Sequence, residues 1–143
     1  MRLSSLWLAS AIVLGGCASA APSSAPSTAV QLAGTQWHFV ALRDKPIPDG
    51  VHATLRFDEK GRVSGRGGCN SYGGTFLSGN DGTLHFGQMI STRMACLQPA
   101  GAMETEQGVL QALNDTAHVR VQDGGLTLLD VTGTDLATLR AGD

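Results

Sequence analysis

The chain is poor in aromatic residues, with two Trp, one Tyr and four Phe among 143 positions. A core built here must be largely aliphatic, so each buried ring carries a large share of the stability. Charge is sparse too: ten Lys and Arg stand against twelve Asp and Glu, for a net charge of −2. Phosphate-backbone binding needs a basic footprint, which this balance does not supply, so nucleic acid is excluded as a partner. Beyond the N-terminal stretch, no apolar run approaches the ~20 residues that a membrane helix needs. Motifs of catalysis are missing as well. No G-x-S-x-G elbow or S-x-x-K supports Ser71, Ser91 or Thr92 as a nucleophile. His38, His52, His85 and His118 fall on four separate expected strands, without the spacing or acidic company of a metal site. They read as exposed strand residues. Asp81, a lone carboxylate in Ser78-Gly79-Asn80-Asp81-Gly82, belongs to a hairpin turn rather than a calcium loop. Gly67-Gly68 and Gly73-Gly74 open no helix, so they cradle no phosphate. Glycine there allows positive φ and close backbone approach at a bulged strand end.

What is present begins with Arg2 and the apolar run Leu6–Leu14, too short to span a bilayer. Gly15 and Gly16 then precede Cys17. This Leu14-Gly15-Gly16-Cys17 ending resembles the lipobox of bacterial lipoproteins, whose cysteine is acylated and becomes the new N-terminus. Residues 1–16 are expected to be the signal peptide, and Cys17 the lipidation site carrying palmitate-type chains. Two or more acyl chains anchor a protein stably, whereas one does so marginally. Residues 17–31 form an Ala/Ser/Pro-rich tether that lacks the hydrophobic content to fold. Ala18 after the cysteine resembles the sorting signal for the outer membrane, placing the chain on its periplasmic face. Cys17→Ser should release the protein from membranes. The remaining residues, 32–143, make one domain's worth of chain.

Within that domain, short period-2 segments alternate with Gly, Asp and Asn. Trp37, Phe39 and Ala41 alternate with His38, Val40 and Leu42; Ala53, Leu55 and Phe57 with His52, Thr54 and Arg56. Asp58–Gly61 reads as a turn returning through Val63. Thr75–Leu77 and Leu84–Phe86 flank the Ser78–Gly82 hairpin loop. Val119 and Val121 lead through Asp123-Gly124-Gly125 to Leu126 and Leu128. Leu136–Arg140 follows Gly133 as the last strand. From Ala102 to Leu113 the period changes: Met103, Val109, Leu110 and Leu113 fit one helical face. Glu104 and Glu106 sit in the first turns, where acidic groups complement the helix dipole. Asn114-Asp115 would end this helix, and Gly108 weakens it by about 1 kcal/mol. Eight or nine strands with one helix predict an α+β fold, mainly antiparallel. The sheet must close into a barrel or sandwich, or curl around the helix. A small, partly open barrel is favoured.

Gly65-Arg66-Gly67-Gly68-Cys69-Asn70, then Ser91-Thr92-Arg93-Met94-Ala95-Cys96, then Met103-Glu104 with Leu110 and Leu113, occur in one order behind Trp37. This arrangement closely resembles the META domain, also called the HslJ-like domain, over about Leu32 to Arg140. The resemblance marks Trp37, Gly68, Cys69, Asn70, Thr92, Met94, Cys96 and Glu104 as its structural motif. It implies a barrel-like antiparallel domain, common on envelope lipoproteins and associated with heat or envelope stress and antibiotic tolerance. It implies no reaction and no catalytic residues.

Three functional readings follow. The preferred one is a non-catalytic envelope lipoprotein acting through a protein partner, with no cofactor beyond the covalent lipid. The second is a pilotin-like carrier of lipid or apolar peptide, which requires a hollow barrel; the sequence permits a filled or an empty interior. The third is an envelope enzyme using Cys69 or Cys96 as nucleophile. Against that, Cys17 is consumed by lipid and the signal sends the other two thiols to an oxidising compartment, so Cys69 and Cys96 are expected to form a disulfide. Trp37 shares a strand face with Phe39 and is expected in the core.

Overall fold

The computed structural model describes residues 31–142. The expected signal peptide, Cys17 and nearly all of the expected tether lie outside the described residues. The first strands are β1 (Gln36–Leu42), β2 (Lys45–Pro46), β3 (Thr54–Phe57), β4 (Arg62–Arg66), β5 (Ser71–Ser78), β6 (Leu84–Phe86) and β7 (Ile90–Ser91), and the alternation predicts all but the two-residue β2 and β7. The helix α1 (Ala102–Asp115) follows, then β8 (His118–Gln122), β9 (Gly125–Leu129) and β10 (Asp135–Ala141). All pairings are antiparallel, in the order β6-β5-β4-β3-β1-β10-β9-β8. The short β2 and β7 pair with β1 and β5 off this path.

The two ends of the sheet meet. A single bridge joins Thr83, just before β6, to His118 on β8. Leu84 N–H donates to Ala117 O at 3.0 Å and Val119 N–H to Gly82 O at 2.8 Å. The fold is thus a small antiparallel barrel, closed by a short seam, with α1 packed against it. Closure leaves little sheet edge to pair with another chain.

Inward positions of the strands fill the barrel. Leu55, Phe57, Leu84 and Leu128 are wholly buried, and Val109 and Leu113 of α1 join them from one side. Phe57 packs edge-on against Phe76, with ring centroids 4.9 Å apart, and stacks near Phe86 at 6.0 Å. A hollow carrier barrel is therefore not what these residues build: side chains occupy the space a lipid would need.

Five details of the sequence reading change. A bulge between Phe39 and Ala41 breaks the β1 alternation, so Leu42 turns back to pack on the core. His52 lies in the loop before β3 rather than on a strand, while Gly73-Gly74 sit inside β5 rather than at a strand end. The helix runs on through Asn114 and Asp115, because Thr116 caps it: its N–H and Oγ1 donate to Leu113 O and Ala112 O. Its buried stripe is Ala102, Thr105, Val109, Ala112 and Leu113, with Met103 and Leu110 only half-buried. Small Ala and Thr let the helix lie close to the barrel, which shifts the face away from the larger apolar residues.

Candidate functional site

The two sequence blocks around Cys69 and Cys96 meet in space, joined by a disulfide across 27 positions, with Cα atoms 5.8 Å apart. Next to it Asn70 is almost fully buried, at 2 % exposure. A primary amide offers two donors and two acceptor lone pairs, and burying it is costly unless they are used. Here all are used. Nδ2 donates to Met94 O and to Glu106 Oε1, both at 3.0 Å. Oδ1 accepts from Met94 N–H at 2.6 Å and from Thr92 Oγ1 at 3.0 Å. The backbone N–H of Asn70 donates to Glu106 Oε2 at 2.6 Å, and its carbonyl accepts from Gly67 N–H. One side chain thereby ties the β4–β5 turn, the Ser91–Cys96 segment and α1 together.

The glycines before it set the distance. A Cβ on Gly67 would come within 2.8 Å of Glu106 Cγ. One on Gly68, at φ +124°, would lie 2.7 Å from Ala102 O. The helix rests directly on this turn, and glycine alone fits.

Of the motif residues expected from the resemblance, Gly68, Cys69, Asn70, Thr92, Met94 and Cys96 take places in this arrangement, while Trp37 lies in the barrel core. Trp37 is buried at 7 % and its Nε1 donates to Thr35 Oγ1 at 2.8 Å. Met94 contributes its backbone, while its side chain is 59 % exposed. Glu104 is the exception. It is exposed on the opposite side of α1, and Glu106 holds the position that grips Asn70. The signal was legible: Glu106 stands four residues after Ala102 on the stripe that continues through Val109 and Leu113, an acid on an apolar face.

Other polar groups serve local structure. Tyr72 Oη donates to Thr54 O at 2.6 Å, and Arg66 N–H donates to Thr54 Oγ1 at 3.1 Å, so side chains complete the β3–β4 ladder there. Burial pushes the Tyr72 hydroxyl far above the usual phenol range. It therefore stays a donor. Asp81 caps its own hairpin through Thr83, whose hydroxyl and N–H bonds hold the carboxyl below its ordinary range. Ser71, Ser91 and Thr92 line the β5–β7 strip, with Thr92 Oγ1 accepting from Ser71 N–H. Among the described residues, no three His, Cys, Asp or Glu side chains gather as a metal site requires. No described helix is long and apolar enough to cross a membrane.

A concavity with an apolar floor lies elsewhere, beside α1. A groove of about 400 Å³ runs between the helix and the hairpin of β1 and β2. Leu42, Ile47, Pro46, Ala112 and Leu136 give it an apolar floor, with Arg43, Lys45, Glu104 and Asp115 at its rim. Gly108 accounts for its depth: a Cβ there would come within 2.7 Å of Leu42 Cδ1. The sequence reading noted Gly108 only as a weakness in the helix.

The META domain family matches residues 30–143. Among solved structures, a protein from Burkholderia xenovorans determined by NMR is 27 % identical, with a TM-score of 0.63 over 92 % of this chain and 98 % of its own. A second NMR structure is 26 % identical, with a TM-score of 0.61 over 77 % of this chain and 91 % of its own. A DUF4847 family protein from Bacteroides vulgatus shares the fold at 15 % identity, with a TM-score of 0.56 over 77 % of this chain and 94 % of its own. No curated protein matches the chain.

Proposed function

Since the chain belongs to the META domain family, we propose that it is a non-catalytic lipoprotein of the bacterial envelope that acts by binding a protein partner under heat or envelope stress, and so contributes to antibiotic tolerance. The Leu14–Cys17 ending supports the anchor, and Ala18 the outer membrane as its destination. The observation that carries the binding reading is the groove beside α1, because the barrel interior is already filled. An apolar floor with a few charges at its rim suits an apolar segment of another protein, the charges fixing its orientation. The interior packing gives the carrier reading no place to put a ligand, and the disulfide takes both thiols that the enzyme reading would use.

Photo-crosslinking from the groove tests this. A photoreactive side chain at Lys45 or Gln111, in cells under envelope stress, is expected to give a discrete protein adduct. The same probe at Arg120, outside the groove, is expected to give none. Equal labelling from all three positions, or none from the groove, overturns the proposal.

A further inference from the structure

Positive charge and exposed apolar side chains gather on one side of the barrel, in a chain whose net charge is negative. In the outward rows of β3, β4, β5 and β7, Arg56 stands opposite Ser64, Ser64 opposite Gly73, and Gly73 opposite Ile90. Arg62 and Arg66 flank Ser64 two residues to either side on β4, so both share its outward face. Arg93 follows on the segment leading from β7. All four arginines are exposed. Of these four only Arg62 is ion-paired among the described residues, to Asp58 at 2.8 Å; the β3–β4 turn adds Glu59 and Lys60. Ser64, Ser71 and Gly73 between the arginines are small, which leaves the guanidinium groups standing above the surface.

Ile90 on this face, at 75 % exposure, and Met94 at 59 % and Leu97 at 90 % on the segment that leaves it are large exposed apolar residues. Isolated exposed apolar residues need no explanation, but three within eight positions beside an arginine cluster do. Arginine next to protruding aliphatic side chains matches a bilayer interface, where the cations meet phosphates and the apolar groups enter the acyl boundary. The point where the chain enters the domain agrees with this. Leu32 and Gly34 lead in beside Phe57, at the end of β3, and Gln36 pairs directly with Arg56.

We infer that the outward face of β3, β4, β5 and β7, with the Ile90–Leu97 segment, lies on the anionic membrane surface to which the chain is tethered. This rests on the proposed anchor at Cys17, since at physiological ionic strength a face with so few cations is too weak to hold the protein alone. The domain is then oriented by the bilayer rather than swinging freely on its tether. At bilayer phosphates each arginine contributes about a fivefold gain in binding, screened by salt.

The test uses residues 17–143 carrying Cys17→Ser with preformed vesicles, so that neither acyl chains nor the apolar run Leu6–Leu14 takes part. With phosphatidylethanolamine vesicles containing a minority of phosphatidylglycerol, it is expected to co-sediment at low ionic strength and to leave in molar salt. Arg56→Gln, Arg66→Gln and Arg93→Gln together should weaken that binding on the order of a hundredfold. Ile90→Ser should weaken it without changing its salt dependence. An unchanged unfolding midpoint shows that each variant is folded. Equal binding to phosphatidylcholine vesicles, or undiminished binding by the triple variant, overturns the inference. So does release by millimolar inorganic phosphate at matched ionic strength, which would assign the arginines to a free anion. The mass of the N-terminal peptide from native membranes reports the anchor separately, so failure of either claim is seen on its own.

Discussion

Asn70 shows how one residue can specify a junction between distant parts of the chain. Its amide satisfies Met94 and Glu106 at once, and each bond is stronger for being out of water. Asn70→Ala would leave the Met94 and Glu106 groups without their partner, a loss on the order of 3 kcal/mol. Asn70→Asp is the sharper probe. It exchanges a donor facing Glu106 for a second carboxylate, and the two repel at neutral pH. Acid relieves that repulsion by protonating one of them. Chemical unfolding should therefore show Asn70→Asp weakest at neutral pH and closer to the parent as the pH falls. A deficit independent of pH would separate Asn70 from Glu106. Trp37, on the other hand, acts through bulk. In a domain with so few rings, Trp37→Ala should cost about 3–5 kcal/mol, read as a lowered denaturation midpoint. An unchanged midpoint would place it outside the core.

At the scale of the element, turns are held by aspartates. Asp130 Oδ1 accepts from Thr132 N–H at 2.8 Å, Thr132 Oγ1 at 2.7 Å and Thr134 N–H at 2.9 Å, closing the β9–β10 connection. These bonds, the Thr132 hydroxyl foremost, hold its carboxyl below the ordinary value of 3.8. Asp58, chiefly through Arg62 N–H, and Asp81, chiefly through the Thr83 hydroxyl, are lowered likewise. A lowered carboxyl stabilises the fold fully above its unfolded value, and that contribution is lost as pH falls through the folded one. Melting temperature should thus stay level through the neutral range and drop below about pH 4. Asp130→Asn should flatten part of that drop; a variant with the parent's acid profile would contradict the assignment. Such turns were legible because Asp, Asn and Gly announce them chemically. Strands were legible where apolar and polar residues alternate strictly, as at Ala53–Phe57. The bulge in β1 was not, since nothing local marks Val40 as its site. The helix face was misplaced because burial there follows small size, at Ala102 and Ala112, rather than hydrophobicity. Glu104 and Glu106 differ only in which side of α1 they occupy, and that depends on where the helix lands.

For the whole molecule, barrel closure and filling decide what kind of protein this is. The pairing of distant strands β1 and β10, and the seam from Thr83 to His118, are long-range facts that no local pattern contains. The aliphatic composition left a filled and a hollow barrel equally open, and the three phenylalanines meeting at Phe57 decide between them. With its interior spent on stability, the domain has only its outside to work with: a groove beside α1 and a basic, partly apolar face. The proposed anchor requires export to the envelope, and in an oxidising compartment the loop closed by Cys69–Cys96 is worth roughly 3–4 kcal/mol. Intact mass of protein taken from envelopes and alkylated without reductant tests this account most directly. The predicted result is a chain that begins at Cys17, bears acyl chains and takes up no alkyl label. A chain without acyl groups, or one carrying two labelled cysteines, would contradict it.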